Sequence, residues 1–344
     1  MNAAAKNYDG VNKYIRITDI DEASSSYTDK DIVSPDGILT DNYLVNNRDI
    51  LLARTGASTG KSYLYKQSDG KLYYAGFLIR ANVTTHDPYF VFSQLHTHRY
   101  WRWVSIMSAR SGQPGINSQE YSSFPIYTTS IEEESKIAKL LSLLDERIAT
   151  QNKIIDKLQS LIKGISSKIF ASIKGVEYRM GDIATITNGN SNVQDAITEA
   201  KDGLYPFFDR SEDIKYLPTF LFDKKAIIYP GEGADFMPRY FKGKFALHQR
   251  CYAIFDFNEI INAQFLYFYL KTKNSYFIRN AVGSTVPSLR LDTFQKLKVV
   301  IPSKEIQHSV SLCLSSMEQK CNAEKKILHE LLKQKQYLLR QMFI

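Results

Sequence analysis

KIAKLLSLLDERIATQNKIIDKLQSLI, residues 136–162, reads as one long helix in the middle of a 344-residue chain. Taken by heptads, Ile137, Leu141, Leu144, Ile148, Gln151, Ile155, Leu158, Ile162, Ile165 and Ile169 fall in steps that alternate four and three without a break. That is the 3.5-residue period of a coiled coil rather than the broader stripe of a globular helix, and only Gln151 is polar. Such a helix needs a partner with the same seam. The stretch SKEIQHSVSLCLSSMEQKCNAEKKILHELLKQKQYLLRQMF, residues 303–343, supplies one at Val310, Leu314, Met317, Cys321, Glu324, Leu328, Leu331, Lys335, Leu338 and Met342. Every position lies 173 residues after its counterpart, 310 against 137 and 342 against 169. Helices of about 40 residues reach about 60 Å at ~1.5 Å per residue. Paired antiparallel, they would hold two blocks at opposite ends about a pseudo-two-fold axis, with Gln151, Glu324 and Lys335 as polar intrusions that fix register.

The displacement continues upstream of the helices. SGQPGINSQEYSSFPIYTTSIEEE at 111 aligns with STVPSLRLDTFQKLKVVIPSKEIQ at 284, so that Pro114 meets Pro287 and Glu132 meets Glu305. Gly70-Lys71 and Gly243-Lys244 keep the same spacing, and FVFSQLHTHRYW at 90 resembles FLYFYLKTKNSY at 265 with a two-residue slip. The chain is two copies of one unit. Each copy opens with β-branched and aromatic runs punctuated by Gly and Asp, such as DILLARTG, KAIIYPGEG and LKVVIP, and closes with the long helix. The expected class is α+β: strand-rich blocks at 1–130 and 175–303, helices at 131–174 and 304–344, and an antiparallel coiled coil between the two helices.

Composition sets the outer limits. A chain of this length holds about two domains of ordinary size. The formal net charge is +8 with a sequence pI near 9.1, which favours a polyanionic partner, nucleic acid first. Cys251, Cys313 and Cys321 are too few for a disulfide framework or a four-ligand zinc site, and a reducing compartment suits them. No apolar run approaches the ~18 residues of a membrane span, and MNAAAKNYDG does not resemble a signal peptide. A cytoplasmic location and no membrane partner follow as expectations.

Several stretches tempt a catalytic reading. TGASTGKS, residues 55–62, falls one residue short of a phosphate loop, whose first Gly stands five before the Gly-Lys-Ser where this chain has Thr55. Pro35-Asp36 and Asp69-Gly70-Lys71 could together hold Mg²⁺, but SPDG and SDGK are ordinary turn sequences. No two prolines adjoin, as the catalytic motif of an amino-methyltransferase requires, and no glycine-rich fingerprint for a methyl donor is present. His96 and His98 have no Cys or carboxylate at metal-ligand spacing. No catalytic residue and no metal site is expected.

YRMGDIATITNGNS at 178, YPFFDRSEDI at 205 with its counterpart YIRITDI at 14, DILLARTGASTGK at 49, and the loop-plus-helix segments from Ser111 and Ser284 occur in duplicate order over nearly the whole chain. In this they resemble the specificity subunit of a type I restriction-modification enzyme. The resemblance implies that each block is a target recognition domain reading one half of a bipartite site in double-stranded DNA. It also implies that the helices act as a spacer and dock two methyltransferase subunits, which motor-nuclease subunits join in the restricting complex. This chain would then perform no chemistry and bind no cofactor, S-adenosylmethionine, ATP and Mg²⁺ belonging to the partner subunits. The rival reading is a coiled-coil interaction scaffold that does not bind DNA. One departure stands out: the first block has only MNAAAKNYDGVNK before YIRITDI and lacks a counterpart to the RMGDI strand. It is either truncated at its start or built differently, its opening strand supplied from elsewhere.

DNA contacts call for Arg or Lys on phosphates and for Arg, Asn, Gln, Ser or Thr on loops that face base edges. Candidates at repeat-related places are Arg54, Thr55, Ser58 and Lys61 in the first block, and Arg239, Lys242, Lys244, His248, Gln249 and Arg250 in the second. The loops before the helices add Arg110, Gln113 and Asn117, then Thr285 and Arg290.

Overall fold

The computed structural model describes residues 1–109 and 113–343. The chain forms two compact units, residues 1–154 with 325–344, and residues 155–324, so each long helix gives one half to each unit.

The first unit begins with β1 (Ala4–Asn7), β2 (Lys13–Ile15), β3 (Val33–Asp36), β4 (Asp49–Ala53), β5 (Ser62–Leu64), β6 (Leu72–Tyr74) and β7 (Leu78–Asn82). β4 is the central strand of an antiparallel sheet in the order β5-β4-β7; β2 lies parallel to β6, and β1 pairs with β3. DILLA is buried at every residue, and the pleat sends its side chains alternately to two cores. Ile50 and Leu52 meet Phe92, Leu95, Tyr100, Val104 and Tyr121, while Leu51 and Ala53 meet Ile15, Ile20, Tyr63 and Leu72.

The first of these cores is closed by three short helices, α1 (Pro88–Gln94), α2 (His98–Met107) and α3 (Ser118–Ser122). Each starts at a side chain able to satisfy amides the helix leaves open. Asp87 accepts from the Tyr89 and Phe90 amides with Pro88 behind it, Thr97 accepts from Tyr100, and Asn117 forms a capping box with Glu120. These three helices lie inside a block whose residue pattern predicts mainly strands.

α4 (Ile131–Ser172) follows. Its first half packs Ile137, Ala138 and Leu141 against Leu338, Leu339 and Met342 of α9 (Lys304–Met342) and against Phe343 just beyond it, with Phe90 of α1 in the same cluster. Early α4 residues meet late α9 residues, so the two segments run antiparallel. Lys335 bonds Asp145 at 2.6 Å in the same unit, and one polar seam residue thereby fixes the register of this pair. All the seam positions read from the sequence are buried or half-buried, Ile148, Ile155, Leu158, Met317, Leu328 and Leu331 among them, as is Gln151.

The second unit contains β8 (Val176–Arg179), α5 (Met180–Ile183), β9 (Thr185–Asn188), β10 (Tyr205–Phe208), β11 (Lys215–Leu217), β12 (Phe222–Pro230), β13 (Arg239–Leu247) and β14 (Cys251–Phe255). It continues with α6 (Ala263–Lys271), α7 (Asn274–Asn280), α8 (Leu291–Gln295) and β15 (Lys298–Ile301) before α9. Its sheet runs β11-β10-β13-β12-β14-β9, and β8 pairs with β15. RMGDI is therefore not a strand: the strand is VEYR, and MGDI is a helical turn that seats Met180 and Ile183 in the core. Ile227 and Tyr229 face the helices together with Tyr252 and Ile254, while Ala226, Ile228, Ala253 and Phe255 face the other way. Phe170 of α4, Val310 of α9 and Ile173, just past the end of α4, pack on the first of these cores.

The units repeat at the level of individual pairings. Ala53 pairs with Leu78, and Pro230 pairs with Cys251. Tyr14 pairs parallel with Tyr73, and Phe207 with Ala246. A buried polar side chain in the first turn of each long helix reaches back to the helix-capping residue of its block: Glu134 accepts from the Asp87 amide at 2.9 Å and Gln307 from the Asn262 amide at 2.7 Å.

Candidate nucleic-acid interface

In both units the end of the central strand is stitched to the loop that precedes the long helix. The Gly56 amide donates to the Pro114 carbonyl at 2.9 Å and the Ile116 amide to the Arg54 carbonyl at 2.9 Å. In the second unit the Gly233 amide donates to Pro287 at 3.0 Å and the Leu289 amide to Gly231 at 2.8 Å. Thr55 bridges Gly115 as Glu232 bridges Ser288. Gly56 and Gly233 have φ of 69° and 139°, the left-handed region where a β-carbon is strained, so the junction requires glycine at this point. Each junction is thus a rigid strand-end platform that presents the side chains around it.

On the first platform Arg54 is exposed and Thr55 and Ser58 are half-buried. The Gln113 amide lies over Gly56, 3.2 Å from where a β-carbon would stand. Lys61 pairs with Glu22 at 3.1 Å, and Asn117 spends its carbonyl on the α3 cap. Arg110 lies outside the described residues. The neighbouring Phe77 was missed in the sequence: 60% exposed, it accepts the Arg54 amide on its own carbonyl and stands 173 residues before Arg250. Its place 173 residues before Arg250 was the available signal.

On the second platform Arg250 donates from Nη1 to Glu232 Oε1 at 2.7 Å, joining the β13–β14 turn to the junction. The same turn carries His248 and Gln249. The His248 amide donates to the Phe208 carbonyl, and burial lowers the imidazole pKa, which favours the neutral ring, a donor and an acceptor at once. Gln249 is exposed, its main chain fixed by Ser191 and Asn188. Thr285 and Arg290 are exposed on the loop whose Pro287 and Leu289 form the junction.

The basic residues of β13 divide by face. Lys242 and Lys244 are exposed and lie opposite Lys225 and Asp223 of β12, so the pleat sets Lys225, Lys242 and Lys244 on one side of the hairpin. Like charges directly opposite one another destabilise a sheet, and a polyanion relieves the repulsion. Lys244 also rests on the Phe220 ring at 4.8 Å. Lys225 was not among the residues singled out from the sequence, because it is the register with Lys242 that gives it significance. Arg239 differs: its guanidinium donates to the Ser211 carbonyl, and its Nη1 is buried without a partner among the described residues. The structure therefore groups Gln249, Arg250, Thr285 and Arg290 around the junction, places the lysines along the hairpin, and ties Arg239 inside the unit. No group of three or more His, Cys, Asp or Glu among the described residues is placed to hold a metal ion, and none of the described helices is long and apolar enough to cross a membrane.

Comparison with known proteins bears on both units. The family model described as type I restriction modification DNA specificity domain matches residues 1–160 and again residues 174–333. The type I restriction enzyme EcoDI specificity subunit of Escherichia coli is 28% identical over 142 residues, 41% of this chain and 31% of that protein. The type I restriction enzyme MjaVIII specificity subunit of Methanocaldococcus jannaschii is 29% identical over 133 residues, 39% of this chain and 30% of that protein. The matches therefore span less than half the length of these relatives. The crystal structure of a type I restriction-modification system S subunit from M. genitalium aligns over 99% of this chain and 94% of that one, with a TM-score of 0.68 at 17% identity, a likeness of fold.

Proposed function

The chain belongs to the type I restriction-modification DNA specificity family, and from that premise we propose that it is the DNA-binding specificity subunit of such a complex, each unit reading one half of a bipartite site. The observation that carries this reading is the duplicated strand-end junction, which presents exposed arginine, glutamine and threonine side chains on a glycine-pinned platform, with a lysine-bearing hairpin in the second unit as well. Phosphate contacts set position, and base contacts from rigid loops give sequence preference.

On this reading the long helices hold the spacing and dock two methyltransferase subunits. Methyl transfer from S-adenosylmethionine, and cleavage driven by ATP and Mg²⁺, belong to methyltransferase and motor-nuclease partners. The deciding experiment is a salt titration of duplex binding by the chain assembled with its methyltransferase. Binding to several phosphates makes the logarithm of affinity fall steeply and linearly with the logarithm of salt concentration. A flat profile would favour the coiled-coil scaffold that binds no DNA.

A further inference from the structure

Phe77 lies in a turn that the fold holds from both sides. Ala75 and Leu78 are buried in two different cores, and the Leu78 amide closes the turn on the Ala75 carbonyl at 2.9 Å. The Gly76 amide donates to the Met1 carbonyl at 2.8 Å, and the Phe77 carbonyl accepts the Arg54 amide at 3.0 Å. The Arg54 carbonyl in turn accepts the Ile116 amide, so the end of β4 joins this turn to the loop before α4. With its main chain fixed in this way, the Phe77 ring stands 60% exposed at the edge of the first platform.

The second unit has a charged pair at the same place. Leu78 pairs with Ala53 as Cys251 pairs with Pro230, so the residue before each, Phe77 in one unit and Arg250 in the other, occupies one position of the repeat. Thr55 and Glu232 are related in the same way, bridging Gly115 and Ser288. Where the second unit sets Arg250 on Glu232 at 2.7 Å, the first therefore has Phe77 and Thr55. The exchange removes both charges and leaves an aromatic ring and a side chain with a methyl group. Exposed Arg54 and Gln113 on the first platform are of the types whose paired hydrogen bonds match guanine and adenine edges in the major groove. A phenyl ring makes no such bond. The apolar feature a base pair presents in that groove is the C5-methyl group of thymine.

We propose that Phe77 determines specificity in the first unit's half-site by packing on the methyl group of one thymine in the major groove. The inference rests on the reading of this chain as a DNA-binding specificity subunit. At the same repeat position the second unit offers Arg250, a hydrogen-bond donor, so the two half-sites are read there by opposite chemistry. A methyl contact acts through burial alone. Thymine covers its methyl group with the ring, uracil has none to cover, and the hydrogen-bonding edges of the base pair are the same in both.

The test uses the chain assembled with its methyltransferase and duplexes carrying a site selected from random sequence for tight binding. Thymines of each half-site are replaced one at a time by deoxyuridine, and affinity is measured by competition. At one thymine of the half-site that Arg250→Ala leaves unaffected, the replacement is expected to weaken binding about fourfold, the effect of exposing one methyl-sized group. Phe77→Ala should bind the thymine and deoxyuridine duplexes equally, and Phe77→Leu, which keeps an apolar side chain, should retain part of the difference. Both variants should keep the parent's midpoint in denaturant, because the ring is exposed. The proposal is overturned if no thymine of that half-site responds to loss of its methyl group, or if Phe77→Ala still discriminates. It is also overturned if Phe77→Ala weakens every duplex alike, as loss of a ring wedged between base steps would. A parent complex that binds duplex without salt dependence, or not at all, defeats the DNA-binding reading as well. Ordinary salt-dependent binding with no methyl effect defeats this proposal alone.

Discussion

The Glu134 carboxylate, fully buried in the first turn of α4, accepts the main-chain amide of Asp87 at 2.9 Å, and its other oxygen lies 2.9 Å from His86 Nδ1. Asp87 in turn caps α1, which carries Phe90 into the cluster with Leu141 and Phe343. One side chain thus ties the end of the block to the start of the helix, and Gln307 does the same for Asn262 in the second unit. Glu134→Ala leaves a buried amide unpaired and is expected to cost ~1–3 kcal/mol, measured by denaturant unfolding. Glu134→Gln, the residue used at the repeat position, should recover most of that loss.

The antiparallel contact between α4 and α9 depends on Leu141, which is 1% exposed and packs against the C-terminal residues of α9. Leu141→Ala removes buried methyl groups and leaves a cavity, an expected loss of ~2–5 kcal/mol. Leu140→Ala, one residue away on an exposed position, is expected to change stability by less than about 0.5 kcal/mol. Equal effects of the two in chemical denaturation would contradict the seam.

Exposed Lys242 and Lys244 share one face of the β12–β13 hairpin with Lys225. Lys242→Ala should weaken duplex binding about equally for all sequences and reduce the salt slope by about one. Arg250→Ala is expected to behave differently, costing ~1–3 kcal/mol at one half-site and relaxing its sequence preference while the other half-site is unaffected. Competition binding against sets of duplexes altered in one half-site separates the two behaviours.

His96 bonds the Phe92 carbonyl through Nδ1 and Ser25 through Nε2, and burial, with the Lys335 ammonium nearby, pushes its pKa down to about 4. Between pH ~6.5 and about 4 the unfolded chain takes up a proton that the folded ring refuses. This stability is therefore present above the unfolded pKa and is lost as the pH falls through that window, at no more than ~1.4 kcal/mol per pH unit. His96→Gln should flatten the stability profile over this range, as followed by urea unfolding at a series of pH values.

The seam of α4 and α9 could be read directly, because a 3.5-residue period is a local property that survives in the spacing of Ile137, Leu141 and Leu144. The duplication was also legible, since a fixed displacement of 173 links the loops as well as the helices. The candidate interface was only partly so. The exposure of Arg54, Gln249 and Thr285 agrees with their loop character, but Arg239 and Asn117 look alike in the sequence whether they face solvent or bond their own unit. Their partners, Ser211 and Glu120, are chosen by folding.

Two copies of one unit, each ending in a seamed helix, are legible in residue order, because hydrophobic periodicity and repetition are local and linear properties. Which main-chain groups are spent is settled by contacts made on folding. Gly56 meets Pro114, Glu134 meets Asp87 and Gln94 meets Tyr127 across dozens of residues, by hydrogen bonds that no local spacing encodes. Ile126 and Thr128 have no main-chain partner among the described residues, whereas Val299 and Ile301 at the repeat positions are paired with β8.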